Sequence, residues 1–303
     1  MDNDRPILQC PNYLCQALNP EGHKFCHKCR TPLPKLFLWA VGLEGYRLGE
    51  VLGDRYLVKA DQILLDTKPG LPLEMPGEPP RHWESYLRLF PYRLHVPQIH
   101  GWVCEKGRSN SPILLLEGAP IFPIGERQAD ARLASVELAG HLMPELTSLW
   151  GQSFPLRQLN WLWQMAALWQ PLSSEKVIST LLDPTLLRVD HSCLRLLELK
   201  FDPPTAPSLA ELGQLWRSWN TQLERAAPGG VAQEIVPFLG QLCDQMIHGQ
   251  IKTPDHLLDL LDQALSHEGQ FQIRQVQIAT CTDQGPSARE MRMLAIRRVG
   301  RVL

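Results

Sequence analysis

From Phe37 to Asp66 apolar residues come in short clusters broken by glycine and charged residues, as in "LWAVG" and "YLVKADQILLD". Such clusters bounded by turn formers predict short strands. The stretch "KPGLPLEMPGEPP", Lys68 to Pro80, is rich in proline and glycine and continues neither strand nor helix. "WESYLRLF" has the spacing of a short helix, and "VPQIHGWVCEKGRSNSPILLLEGAPI" reads as two strands around a polar turn from Lys106 to Ser111.

Beyond Ala129 the period changes from strand-like to helical. "LRQLNWLWQMAALW", Leu156 to Trp169, is apolar around most of its circumference, which predicts a buried helix that Pro171 ends. "SLAELGQLWRSWNTQLERAA" opens with Ser208 and Glu211 at capping-box spacing, and Leu209, Leu212, Leu215, Trp216, Trp219 and Leu223 form its apolar stripe. "TPDHLLDLLDQAL" begins with Thr253 as cap and Pro254 at the first helical position. Near the end, Gln272 to Thr280 alternates apolar and polar residues around Ile273, Val276 and Ile278 and predicts one more strand, followed by a turn at Thr282 to Pro286. That strand has no sequence neighbour to pair with.

Composition narrows the class. In 303 residues, 44% hydrophobic and 20% charged content is that of a globular chain with room for a sizeable core. A net charge of −2 gives no broad basic surface for non-specific nucleic-acid binding. No apolar run reaches the roughly 20 residues of a membrane span, and "MDNDRPILQC" lacks the regions of a signal peptide. These features predict a cytoplasmic location, where cysteines are thiols or metal ligands rather than disulfides.

Four of the eight cysteines lie in the first 29 residues, as Cys10-x4-Cys15 and Cys26-x2-Cys29. Two thiolates flanking a tight loop reach one ion together, and two such loops supply the four ligands of a tetrahedral Zn²⁺. Asn19-Pro20-Glu21-Gly22 supplies the turn between the pairs. A segment this short buries too little apolar surface to fold alone, so the metal supplies its folding energy. With four protein ligands the zinc is structural, since a catalytic ion needs an open position. His23 and His27 fall inside loops that the cysteines already close. Cys104, Cys193, Cys243 and Cys281 are scattered, as buried small apolar residues are. The five tryptophans from Trp161 to Trp219 fall at helical spacing, which assigns them mainly to a core rather than to a recognition surface.

A strand-rich region followed by a helical one resembles the layout of protein kinases. "VPQIHGWV" with "ILLLEGAPI" is similar to the approach to the kinase hinge, and "VISTLLDPTLLRVDHSCLRLLEL" to the catalytic loop and the metal-binding motif beyond it. On that overlay His-Arg-Asp falls on Ser179, Thr180 and Leu181, the asparagine on Leu186, and Asp-Phe-Gly on Glu198, Leu199 and Lys200. Leucine at 181 cannot accept a hydroxyl proton, leucine at 186 cannot hold a second Mg²⁺, and only Glu198 keeps a carboxylate. "LGEVLGDRY" retains Gly49 and Gly53 but not the full glycine cradle, and Lys59 lacks the V-A-I-K surroundings of a phosphate-pairing lysine. The resemblance implies a kinase-derived scaffold that no longer transfers phosphate; the alternative is an unrelated α+β domain.

"TDQGPSARE" resembles the opening of the metal-dependent, type 2C serine/threonine protein phosphatases, whose first strand runs into Thr-Asp-x-Gly, an arginine and then Asn-Glu-Asp. Here Met291 stands where that acidic group belongs. Glu290-Met291-Arg292-Met293-Leu294 can be encoded so that a shifted frame reads Asn-Glu-Asp-Ala, which implies a phosphatase domain ended by a frame change or truncation. Together, the cysteines, the kinase-like region and this motif resemble the zinc-ribbon-prefixed phosphatases of bacteria.

The expected architecture is α+β: a zinc ribbon over residues 1–34, a bilobal kinase-like domain over 35–270, and an orphan strand opening 271–303. The expected function is a non-catalytic regulatory or adaptor segment of a phosphatase signalling protein, with protein partners in phospho-signalling. An active phosphatase or kinase and a nucleic-acid-binding ribbon are the competing readings. The first lacks a complete set of catalytic groups, and the second lacks aromatic residues interleaved with Lys24, Lys28, Arg30 and Lys35.

Overall fold

The computed structural model describes residues 6–73, 77–104, 111–123, 140–225 and 235–277. The fold is α+β and divides into two compact units, one of residues 1–146 and 171–204, the other of 147–170 and 205–303.

The first unit opens with a small antiparallel pair, β1 (Pro6–Gln9) and β2 (Leu18–Pro20). Its main element is an antiparallel six-stranded sheet made of β3 (Leu36–Val41), β4 (Val51–Leu52), β5 (Tyr56–Ala60), β6 (Ile63–Asp66), β7 (Gln98–Val103) and β8 (Ile113–Glu117). The spatial order is β4-β5-β6-β3-β8-β7. Leu38, Ala40, Tyr56, Val58, Leu64, Ile113 and Leu115 form one buried cluster, as the two-residue period of a strand dictates. Trp39, Ile63, Leu65, Leu114 and Leu116 alternate with them and are buried too. Both faces are therefore covered, which explains why "ILLLE" reads as a continuous apolar run rather than an alternating one. Bulges between Val58 and Ala60 and between Ile99 and Gly101 add local twist.

Helix α1 (Glu84–Arg88) follows a 3₁₀ turn at Arg81–Trp83 and carries the buried Tyr86. The Tyr86 hydroxyl accepts from the Leu199 N–H at 2.9 Å. A hairpin of β9 (Leu187–Asp190) and β10 (Cys193–Leu196) buries Leu187, Val189, Leu194 and Leu196 and leaves Arg188 and Arg195 cross-strand on its other face. His95 holds this hairpin twice: its carbonyl accepts from the Leu196 N–H and its Nδ1 lies 2.7 Å from the Leu194 carbonyl.

Burial holds His95 below the usual imidazole range, the Leu194 carbonyl acting upward and Arg195 downward again. The neutral ring is thus favoured in the folded chain. Its contribution to stability is present above the unfolded value of about 6.5 and is lost as pH falls through the folded value. Denaturation of the wild type is expected to grow easier in mild acid, and His95→Gln should flatten that part of the profile. A slope identical in the two proteins would remove His95 as its source.

The second unit is helical, with α2 (Leu146–Trp150), α3 (Pro155–Ser174, entering the first unit after Gln170), α4 (Leu209–Arg225), α5 (Val236–Ile247) and α6 (Pro254–Gln277). The capping expected at α4 is present: the Glu211 carboxylate accepts from the Ser208 N–H. Thr253 caps α6 by accepting from the His256 N–H at 3.3 Å. Trp150, Trp161, Trp216 and Trp219 are core residues, with ring centroids of 5.4 Å for Trp150–Trp219 and 6.5 Å for Trp150–Trp161. Gly213 lets α4 and α5 approach, since a Cβ there would lie 2.8 Å from that of Met246.

Two elements depart from the sequence expectation. Helix α3 runs through Pro171 to Ser174. Proline removes the partner of one carbonyl, but Leu172 is fully buried, and its packing outweighs that loss. The strand expected from Gln272 is corrected as well, because α6 continues to Gln277. Ile273 and Val276 stand three apart, a spacing that fits a helix face as well as a strand, and glutamine and arginine are good helix formers. Residues 278–303, with the Thr-Asp-x-Gly motif, lie outside the described residues, as does the turn from Lys106 up to Asn110. No described helix is long and apolar enough to cross a membrane.

Candidate metal centre

Cys10 directly follows β1, and its N–H donates to the Ala17 carbonyl at 2.9 Å, closing the first loop. Inside that loop the N–H groups of Cys15 and Gln16 donate to the Asn12 carbonyl, and the Asn12 side chain accepts from Leu14. The second loop repeats the plan: Cys26 N–H donates to the Thr31 carbonyl at 2.8 Å, and Arg30 N–H returns to the Cys26 carbonyl at 3.0 Å. In both loops the residue after the second cysteine has positive φ, 45° at Gln16 and 64° at Arg30. Neither is glycine, so each loop accepts local strain to turn its chain back on the sulfurs.

The two loops bring the four sulfurs within 4.8 Å of one another. Cys10 and Cys29 are 3.5 Å apart at Sγ, and Cys15 and Cys26 are 3.8 Å apart. Four sulfurs about 2.3 Å from one tetrahedral ion stand about 3.8 Å from each other, so the donor set fits a single metal ion. A disulfide would need about 2.05 Å, and all four are free thiols. Among the described residues this is the one group of His, Cys, Asp and Glu side chains so arranged.

Every sulfur also faces a backbone N–H: Asn12 for Cys10, Ala17 for Cys15, Cys29 and Lys28 for Cys26, and Thr31 for Cys29. N–H donors favour the thiolate, the form that binds metal. The effect is largest at Cys29, where the Thr31 hydroxyl and N–H pull the thiol down to about 6. Burial pushes Cys10 up to about 12 despite the Asn12 N–H. The N–H and hydroxyl donors at Cys29 and the burial at Cys10 thus act in opposite directions within one cluster.

Asn19 joins the two loops. Fully buried, it donates to the Ala17 carbonyl at 2.7 Å and accepts from the His27 N–H at 2.9 Å. The His27 ring turns to the same Asn19 oxygen at 2.8 Å and takes no place in the cluster. His23 is exposed and is likewise outside it. The spacing picks out the four clustered cysteines; the N–H donors and Asn19 depend on loop geometry, and only the two asparagines in turn-forming positions hint at them.

The segment is also tied to the sheet. Gln9 N–H donates to the Thr67 carbonyl at 2.8 Å, and Lys59 on β5 pairs with Glu21 at 2.8 Å. Lys59, the nearest candidate for a phosphate-pairing lysine, is therefore committed to the turn between the cysteine pairs.

The remaining positions singled out in the sequence lie apart from this centre. Ser179, Thr180 and Leu181 sit buried in a 3₁₀ helix at Ile178–Leu182, where Ser179 N–H donates to Asp202 at 2.7 Å and Thr180 Oγ1 accepts from the Lys200 N–H at 2.8 Å. Leu186 ends a second such turn, at Pro184–Leu186. The Glu198 carboxylate accepts from Trp39 Nε1 at 2.6 Å. The Lys200 ammonium pairs with Asp183, whose carboxyl is held below its usual range: burial acts upward, and Lys200 with Thr185 outweighs it. No protein-family model matches the chain, and no curated protein matches it.

Proposed function

We propose that this chain is a non-catalytic regulatory or adaptor segment of a serine/threonine phosphatase signalling protein. In this reading Cys10, Cys15, Cys26 and Cys29 hold a structural zinc ion in an amino-terminal ribbon, and residues 35–270 form a kinase-like body without kinase chemistry. Four thiolates with tetrahedral spacing suit zinc and leave no open position for a substrate. The partners are proteins of phospho-signalling, and a reducing, cytoplasmic setting goes with free thiols.

The observation that most supports a regulatory rather than a catalytic role is the fate of the groups at kinase-like positions. Leu181 is fully buried where a catalytic base would be needed, and the one retained carboxylate, Glu198, is engaged by Trp39. Lys59 is paired with Glu21. Phosphoryl transfer depends on a base, metal-holding side chains and a cation on the phosphates acting together. None of the three is free to act.

The test is phosphotransfer itself. Purified protein incubated with labelled ATP and Mg²⁺ or Mn²⁺ is expected to label neither itself nor a protein substrate, and to release no phosphate from a phosphopeptide. Autophosphorylation that disappears in Glu198→Ala would overturn the reading, because Glu198 would then be holding a catalytic metal.

A further inference from the structure

The segment from Asp66 to Pro72 is held from two sides. On the sheet side Arg55 makes a bidentate pair with Asp66, 2.8 Å at each contact, and donates to the carbonyls of Lys68, Leu71 and Pro72. Thr67 returns both its N–H and its hydroxyl to the Arg55 carbonyl, at 3.0 and 2.6 Å. On the other side stands the cysteine segment. The Thr67 carbonyl accepts from Gln9, the residue next to Cys10. Pro11, on the far side of Cys10, lies so close to Gly70 that an added Cβ would come within 2.4 Å of the proline ring and 2.5 Å of its Cα. A separate tie joins the cysteine segment to β5: Lys59 with Glu21, side chains 25% and 13% exposed.

The Gln9 and Pro11 contacts flank one of the four clustered cysteines. Gln9 and Pro11 bracket Cys10, so their positions depend on where the Cys10 sulfur is held. Without an ion the cluster keeps the short β1–β2 pair, its loop hydrogen bonds and the Lys59–Glu21 pair, over an apolar core of little more than Cys10, Cys26 and Leu33. We propose that metal occupancy of the cysteine cluster is coupled to the order of the Asp66–Pro72 segment, so that the sheet registers whether the ion is present. The proposal rests on the metal reading above and adds its consequence. Coupling is reciprocal: whatever the ion contributes to this segment, the segment returns as affinity for the ion.

Hydrogen exchange on zinc-loaded and chelator-stripped full-length protein, with zinc content measured on the same samples, tests it. Stripping is expected to speed exchange at the amides of Thr67, Lys68 and Leu71 at least about tenfold, with Ala40 on β3 unchanged. Gly70→Ala is expected to keep one zinc per chain but lower its affinity at least about tenfold in chelator competition. Gly22→Ala, a site where an added Cβ meets nothing within 4 Å, should behave as wild type. Zinc uptake with unchanged exchange at Thr67, Lys68 and Leu71, or a Gly70→Ala protein of wild-type affinity, would overturn the coupling alone. Failure to take up zinc at all would overturn the metal reading with it.

Discussion

Cys26→Ser is expected to yield protein with no stoichiometric metal and with residues 6–33 open to proteolysis. Cys26 is fully buried at the start of the second loop, and its sulfur receives the Cys29 and Lys28 N–H groups. Serine keeps the volume but is a poor ligand for the same ion, and three thiolates do not close a structural site. Structural zinc contributes on the order of 10 kcal/mol to small metal-dependent folds, more than the tiny cluster of Cys10, Cys26 and Leu33 can replace. The loss should therefore be of the segment's fold and not merely of its affinity. The six-stranded sheet, with its own buried cluster from Leu38 to Leu115, should stay folded. Limited proteolysis with mass readout checks both halves: cleavage confined to the segment is the expected result, whereas a resistant segment would show that the cysteines are not what holds it.

The second large effect is expected at Arg55. Its partner Asp66 is fully buried, and Arg55 is also the donor for three backbone carbonyls. Arg55→Ala leaves the buried Asp66 carboxylate with only the Lys68 N–H at 2.8 Å and the His100 ring at 3.8 Å, a change that costs about 3–5 kcal/mol. Replacing both members, Arg55→Met with Asp66→Leu, removes the charges together and should cost much less, although the carbonyls of Lys68, Leu71 and Pro72 still lose a donor. Urea titration followed by hydrogen exchange at β5 and β6 amides measures the difference. A loss below about 1 kcal/mol in Arg55→Ala would mean that Asp66 finds water or another cation, and that the segment is not anchored as described.

The cysteine cluster was legible in the sequence because two tight loops write their geometry into local spacing: four and two residues between the paired thiols. The strands from Leu36 to Asp66 and the caps at Ser208 and Thr253 were legible for the same reason, each being decided within a few residues. Gln9 with Thr67, Glu21 with Lys59 and Arg55 with Asp66 were not. Each joins residues on different elements, and nothing in a run such as "LGDRY" distinguishes a buried arginine from a solvated one. Pro171 misled because local stereochemistry predicts a stop while the burial of Leu172 lies outside its reach. Gln272 to Gln277 misled because alternation over so few residues fits either period, and the helix begun at Pro254 was long enough to run through it.

The central claim is that Cys10, Cys15, Cys26 and Cys29 hold one ion. Elemental analysis of protein purified without chelator, paired with counting of reactive thiols in the native chain before and after chelation, tests it most directly. The account predicts one zinc per chain and four thiols that become reactive only when the metal is removed. Protein free of stoichiometric metal, with those four thiols reactive from the start, would contradict it.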